Sequence, residues 1–494
     1  MKILMVAPEV VPFSKVGGLA DVAGALPLEL TKMGHDVRVV CPKFGFMHPE
    51  ESWKVYDHPL HVYLGREVRF ARVWESSLTD KKTPVYLLEH DEYFDVPTVY
   101  SDDYREYERE GYRFAFFSRA SLDLCHYLDW IPDVIHCHDW TTGLIPAHLN
   151  TRELDQPLGR VASVLTIHNL QFQGIFHADV LPFSGLPMSL FKADGLECYG
   201  RVNYMKGAIY HSQKVTTVSP TYAQEIQSPE FGFGLQNTLK FKASDLIGVV
   251  NGVDLSEWGP ESDQHIPESF SIKDMRGKAA AKKKLQEAFG LEQKADVPLY
   301  VLVTRMFSQK GLDVLLHTVP KVLENMHVQF AIIGSGDHQL EQGFNSLAER
   351  YPGKFGTYIG YNNPLAHLTY AGGDFLLMPS RFEPCGLSQM YAMAYGTLPI
   401  VRSTGGLVDT VEQYQEGKGI GTGFRFEHLD TDALYYTIGW ACSTYYDRNE
   451  ELKVLQINAM KQDFSWKGPA KKYESVYYWA YESRNGEKHP DHRS

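Results

Sequence analysis

Cysteine is scarce in this sequence. Six occur in 494 residues, at positions 41, 125, 137, 198, 385 and 442, and no two form a CxxC pair. That excludes a disulfide scaffold and points to reduced thiols in a cytosol-like compartment. Positive charge is also short: 48 Lys and Arg face 61 Asp and Glu, a net charge of −13. Proteins that neutralise many nucleic-acid phosphates carry a basic footprint, so no nucleic acid is expected as a partner. No apolar run reaches the ~20 residues of a membrane span, so no membrane partner is expected either. Pro8 and Glu9 end the first apolar run too early for a signal peptide, and no Ser/Arg-rich transit segment follows. The expected location is cytoplasmic, or the plastid stroma if a transit peptide has been removed.

What is there is an ordinary globular composition, 44% hydrophobic and 22% charged, in a chain long enough for two to four domains. Short, continuous, β-branched runs dominate the first half: Ile3–Ala7, Val37–Cys41, Val85–Glu89, Val134–His138, Ser163–Ile167 and Val215–Val218. Helical spacing at Ala20–Met33 separates the first two. Such runs are parallel strands covered on both faces, and their alternation with helices predicts a doubly wound sheet. After Leu246–Asp254 a polar stretch holds Trp258, Pro260 and Pro267. Strand-like runs restart at Leu299–Thr304, Gln329–Gly334, Phe355–Ile359, Phe375–Met378 and Leu398–Val401, a second α/β unit. The boundary is expected near residue 248. The run KAAAKKKLQEAFG reads as an amphipathic helix with Lys278, Lys282 and Lys283 on a solvated face.

One internal repeat bears on the architecture. GGLADV, from Gly17, recurs as GGLVDT, from Gly405. Each copy follows a strand and opens a helix, so two similar domains are expected to face one cleft. At the first copy, Lys15, Gly17 and Gly18 combine a cation, bare backbone and a helix N-terminus, three features that favour an anion; Asp21 follows in the helix. The turn is neither GxGxxG nor a P-loop, which disfavours a nicotinamide cofactor and Walker-type hydrolysis.

Nine motifs run in order: KVGGLADV at 15–22, HCHDW at 136–140, TIHNL at 166–170, FGFGL at 231–235, NGVD at 251–254, RMFSQKG at 305–311, SRFEPCGL at 380–387, TGGL at 404–407 and DFSW at 463–466. Together they resemble the bacterial glycogen synthases and plant starch synthases of glycosyltransferase family five, over nearly the whole chain. The resemblance implies an α/β GT-B fold, two Rossmann-like doubly wound domains facing a central cleft. Residues 1–247 would form the acceptor-side domain and 248–469 the nucleotide-sugar domain, with a crossing helix at 470–494 returning to the first. It implies retaining transfer of glucose from ADP-glucose to the non-reducing end of an α-1,4-glucan (glycogen, starch or a maltooligosaccharide), with no cofactor and no metal.

Roles follow motif by motif. Arg305 and Lys310 lie after the strand Leu299–Thr304, at the strand end where open α/β sheets bind ligands. Two cations there can hold a diphosphate and stabilise the charge that grows on it as the sugar–phosphate bond breaks. Glu383 matches a residue that contacts donor hydroxyls; by itself it also reads as a carboxylate placed for a helix dipole, with Pro384 at the first helical position and Cys385, Gly386 and Leu387 at the helix end. Cys385 is expected to modify readily without being a nucleophile. Thr404 and Gly405 carry the second glycine turn. His136 to Asp139 invite a metal reading, but strand alternation separates His136 and His138 from Cys137 and Asp139, so further ligands would be required. The resemblance puts Asp139 and Trp140 at the acceptor-side sugar, His168 and Asn169 by the donor sugar, Asn251 near the donor and Tyr361 under the adenine. This chain reads Tyr361-Asn362-Asn363 where the family usually has Tyr-Asp-Glu. The tyrosines Tyr93, Tyr100, Tyr104, Tyr107 and Tyr112 either stack on a glucan or simply pack. Glu110-Gly111-Tyr112 replaces the family's usual pattern before Arg113-Phe114.

The candidate catalytic residues are thus Glu383, Arg305, Lys310, Asp139 and His168. Two rivals stand beside this reading. One keeps the fold and uses UDP-glucose or another acceptor. The other is a glucan-binding protein without catalysis, disfavoured by the presence of Lys15, Asp139, Arg305, Lys310 and Glu383 together.

Overall fold

The computed structural model describes residues 1–101 and 104–492, without the side chains of 104–106. The chain forms two compact units, Met1–Gly252 with Trp466–Ser494, and Val253–Ser465.

The strands of the first unit are β1 (Lys2–Val6), β2 (Asp36–Pro42), β3 (Lys54–Val55), β4 (Leu60–Tyr63), β5 (Val68–Ser77), β6 (Pro84–Glu89), β7 (Val134–His138), β8 (Ala162–Ile167), β9 (Ile175–Phe176), β10 (Glu197–Cys198), β11 (Arg201–Asn203), β12 (Lys214–Thr217) and β13 (Leu246–Gly248). The main sheet has the order β13-β12-β8-β7-β1-β2-β6-β5-β3. It is parallel from β13 through β6. Ile3, Val39, Ile135 and Leu165 are fully buried, as expected of strands with helices on both faces. The strand order reverses between β1 and β7, and the crevice beyond their carboxyl ends is the ligand position in such sheets.

Strands β3, β4 and β5 were not anticipated. They run antiparallel, β5 against β6 with β3 and β4 against β5. Leu60 to Tyr63 alternate buried and exposed, so this meander has no continuous apolar run to announce it.

The second unit holds β14 (Leu299–Val303), β15 (Gln329–Gly334), β16 (Phe355–Ile359), β17 (Phe375–Met378), β18 (Leu398–Arg402) and β19 (Phe424–Phe426). Its sheet is parallel throughout, ordered β16-β15-β14-β17-β18-β19. This is the doubly wound nucleotide-binding order, with the reversal between β14 and β17. Both copies of the glycine repeat open helices, Gly18–Lys32 after β1 and Gly405–Thr410 after β18.

The C-terminal helix Lys467–Asn485 packs on β7, β8 and β12 and on helix Gly18–Lys32. Tyr477 contributes a hydroxyl 2.9 Å from Nδ1 of the buried His136, whose Nε2 lies 2.6 Å from Thr166 Oγ1. Among the described residues, no helix is long and apolar enough to cross a membrane.

The lysine helix, Arg276–Ala288, corrects the expected solvated face. Lys283 is exposed, but Lys278 and Lys282 are each 7% exposed. The Lys278 ammonium donates to the carbonyls of Ala371, Gly373 and Tyr395 and to Thr397 Oγ1, at 2.8–3.0 Å. Lys282 donates to Asp374 at 2.7 Å. Three carbonyls at one point attract a cation more strongly than a polar helix face exposes it.

Candidate active site

Residues gather at the switch point of each sheet. In the first unit, the loop after β1 runs into the glycine turn. Lys15 donates to Asp21 at 2.6 Å. Burial raises the Asp21 carboxyl and Lys15 pulls it back. Gly17 has φ −145°, and a Cβ there would meet nothing within 4 Å. The protein itself makes no demand for glycine at 17; the bare backbone leaves room for an approaching group. In the second copy Gly406, the counterpart of Gly18, is close-packed: its Cβ would lie 2.1 Å from the Cys385 carbonyl oxygen.

Asp139 follows β7 with φ 56°, an unusual conformation for a non-glycine residue. It lies just past His138, the last residue of β7, so strand alternation does not pair it with Cys137. Its carboxylate accepts from the His168 backbone N–H at 2.7 Å. Burial pushes the carboxyl up to about 8, against the backbone N–H groups of His168 and Asn169, with the Glu9 charge adding to the rise. His168 follows β8, and its Nε2 lies 2.9 Å from His138 Nδ1. Burial pushes the His168 ring down to about 3, so it is a neutral donor or acceptor near pH 7. Asn169 accepts from the Gln171 N–H at 3.0 Å. The Asn251 side-chain oxygen is buried and has no hydrogen-bond partner among the described residues.

In the second unit, Arg305 is exposed on the loop after β14, its guanidinium 5.6 Å from the Phe307 ring. Lys310, on the same loop, donates to Glu383 Oε2 at 2.7 Å, and Ser380 Oγ donates to that oxygen at 3.0 Å. Glu383 is 5% exposed, and its carbonyl accepts from the Gly406 N–H at 3.0 Å. The loops after β14, β17 and β18 therefore meet. Arg381 fastens the first two: it donates to both Asp313 oxygens at 2.8 and 2.7 Å and to the Ser308 carbonyl at 2.6 Å. Gly311, with φ 64°, permits the same approach, since a Cβ there would lie 1.9 Å from the Pro379 oxygen. Tyr361 lies beyond β16 and is 81% exposed, with its hydroxyl donating to Asn363 Oδ1 at 3.2 Å. Thr404 is the N-cap of helix Gly405–Thr410, and Gly405 has φ 46°.

Several expectations change. The helix after the SRFEPCGL loop is Ser388–Ala394, with Leu387 as N-cap and Gly386 at φ 73°, so Pro384 is not its first residue and Glu383 is not a dipole carboxylate. Cys385 is 5% exposed, so access limits its reaction with thiol reagents. Trp140 is 6% exposed and packs edge-on against Phe114 and at a tilt against Phe176, in the core beneath Asp139. Tyr93 stacks on His90 and Tyr112 meets Phe183 edge-on. Tyr107 accepts from the Ile175 N–H and Tyr100 donates to Glu9. These four tyrosines pack against the protein; the Tyr104 side chain lies outside the described residues.

Glu9, Ser380 and Arg381 were not among the sequence candidates, and His138 was weighed only as a metal ligand. Each touches a candidate residue or its loop. Glu9 follows β1, His138 ends β7, and Ser380 and Arg381 follow β17, so their place at the carboxyl ends of expected strands would have pointed to them.

The starch synthase catalytic domain model matches residues 2–241, and the glycosyl transferases group 1 model matches 297–443. Glycogen synthase 1 of Geobacter sulfurreducens is 44% identical over 489 residues, 98% of this chain and 97% of that protein. Glycogen synthase of Treponema denticola is 41% identical, covering 98% of this chain and 99% of the relative. The solved catalytic domain of Arabidopsis thaliana starch synthase IV, bound to ADP and acarbose, superposes with a TM-score of 0.90 at 32% identity, over 97% of this chain and 99% of that one. Sucrose-phosphate synthase from Thermosynechococcus elongatus, at 18% identity and a TM-score of 0.62, shares the fold. These curated relatives are bacterial, and the plastid alternative is not borne out.

Proposed function

Because the chain belongs to the family of glycogen and starch synthases, glucosyltransferases of GT-B fold, we propose that its donor is ADP-glucose and that Arg305, Lys310 and Glu383 form the centre of its donor site. The carrying observation is the Lys310–Glu383 pair at 2.7 Å, with the exposed Arg305 on the same loop. Arg305 and Lys310 take the diphosphate, and Glu383 takes hydroxyls of the glucosyl ring. In the transition state the bond between glucosyl carbon 1 and the phosphate oxygen breaks, and fixed cations stabilise the charge that collects on the phosphate. The non-reducing-end hydroxyl of the α-1,4-glucan attacks carbon 1 on the same face. Its proton passes to the departing phosphate oxygen; because attack and departure share one face, configuration is retained.

Lys15 and the glycine turn serve as an anion-binding element for the donor phosphates, and Tyr361 is the platform for the adenine. Asp139, His168, Asn169 and Asn251 orient the sugars, with Asp139 and His168 largely neutral near pH 7. The ADP held by the starch synthase IV structure supports an adenine nucleotide, and its acarbose supports an oligosaccharide acceptor. The test is nucleotide release with glycogen as acceptor, comparing ADP-glucose with UDP-glucose. Fast, glycogen-dependent ADP release is expected. Faster turnover of UDP-glucose would overturn the donor assignment.

A further inference from the structure

One buried acid at the first-unit switch point has no part in the chemistry above. Glu9 is 3% exposed. Its Oε2 accepts from the backbone N–H groups of Val16, at 2.5 Å, and Gly17, at 3.0 Å. Its Oε1 accepts from the Tyr100 hydroxyl at 3.0 Å. An anion beside a phosphate-binding turn repels the ligand, so its presence there calls for a compensating reason.

The turn itself supplies one. Helix Gly18–Lys32 has no side-chain cap at Gly17. Among the described residues, the amides of Gly18 and Leu19 have no acceptor, while that of Ala20 reaches the Gly17 carbonyl at 3.3 Å. Four successive amides, from Val16 to Leu19, therefore divide into two pairs. The first pair is spent on the Glu9 carboxylate, and the second is left for another acceptor. Charge-assisted bonds from two adjacent amides to one buried oxygen fix the path of the turn closely. The open space at Gly17 then lies between the two pairs.

We propose that Glu9 is a positioning residue for the donor: by binding the Val16 and Gly17 amides it sets the glycine turn so that the Gly18 and Leu19 amides and Lys15 receive the donor phosphates. This rests on the reading of the turn as a phosphate-binding element. Tyr100 holds the far side of the same carboxylate and fixes its rotamer.

The test uses the full-length protein with glycogen and the sugar nucleotide it turns over, in four forms: wild type, Glu9→Ala, Glu9→Gln and Lys15→Ala. Glu9→Ala is expected to raise the donor KM about tenfold, the scale of losing one charge-assisted hydrogen bond at the weak end of its range. The glycogen KM should stay within about twofold, since the lost bonds act on the donor turn. Glu9→Gln keeps an oxygen for the amides and is expected to lie between wild type and Glu9→Ala. Thermal unfolding of each variant separates positioning from general destabilisation. The proposal is overturned if donor KM is unchanged in both Glu9 variants, if both KM values rise together, or if only the melting temperature falls. Should Glu9→Ala fail to fold, the donor KM of Glu9→Gln decides in the same way. A Lys15→Ala enzyme with unchanged donor KM removes the underlying reading of the turn. A raised donor KM in Lys15→Ala with none in the Glu9 variants removes the role of Glu9 alone.

Discussion

Lys310 and Glu383, 73 residues apart, are joined by a 2.7 Å hydrogen bond between ammonium and carboxylate, with Glu383 almost wholly buried. A buried carboxylate needs a partner, and this one has a cation and the Ser380 hydroxyl on a single oxygen. The pair holds both groups in place before substrate arrives, so neither must be reorganised for the reaction. Glu383→Gln is expected to lower ADP release about a hundredfold or more while unfolding within a few degrees of wild type. Near-wild-type turnover, measured with saturating glycogen, would remove Glu383 from the machinery.

Tyr361 tests the adenine platform without touching the core. It is 81% exposed, so its ring supports little of the fold. Tyr361→Ala is expected to raise the donor KM about tenfold, at the low end of base–aromatic stacking energies, with the melting temperature unchanged. Tyr361→Phe should behave like wild type in the same assay.

Asp139 makes stability depend on pH. Its folded value, near 8, stands above the ordinary 3.8, so the native state holds the proton more tightly than the unfolded chain. Its contribution is full below about pH 4, falls as pH rises toward 8, and is level beyond. Asp139→Asn cannot titrate. The melting temperature of Asp139→Asn relative to wild type should therefore climb between pH 5 and pH 8, scanned by calorimetry.

Lys278 is a structural cation. Burial pushes it down to about 7, yet four acceptors surround it. Lys278→Met fills the volume but strands three carbonyls, and is expected to cost about 2 kcal/mol or more. The second unit should unfold several degrees earlier in a thermal scan. An unchanged transition would mean that water replaces the ammonium.

Gly311 lets the loops after β14 and β17 approach. At φ 64°, with the Pro379 oxygen where a Cβ would be, alanine forces the two chains apart. Gly311→Ala is expected to lower both the melting temperature and kcat, because Lys310 is the preceding residue. Full activity in a well-folded Gly311→Ala protein would show that the spacing of the loops is not critical.

Much of the fold was legible. Runs such as Val134–His138 and Gln329–Gly334 coincide with strands β7 and β15, because a strand covered on both faces is buried at every position and so reads as a mostly apolar run. The meander β3–β5 was not, since β3 and β4 are short and β5, though ten residues long, is mostly half-buried or exposed, so none shows a continuous apolar run. Lys278 and Lys282 were misread for a related reason: a periodic pattern marks a face as polar without saying whether carbonyls or water will meet it.

The motifs were equally readable, and so was the family. Fixed spacing of a cation, two glycines and a helix start follows from local backbone geometry alone. Contacts between distant segments were another matter. That Lys310 pairs with Glu383, that Arg381 ties Ser308 to Asp313, and that Glu9 takes up the amides of the glycine turn depend on which strand ends lie side by side. Strand order is set by packing of the whole sheet, and burial then decides protonation, as at Asp139 and His168. Local patterns determined the elements and the residues that carry the chemistry; only the tertiary structure determined which of those residues touch, and in what state of charge.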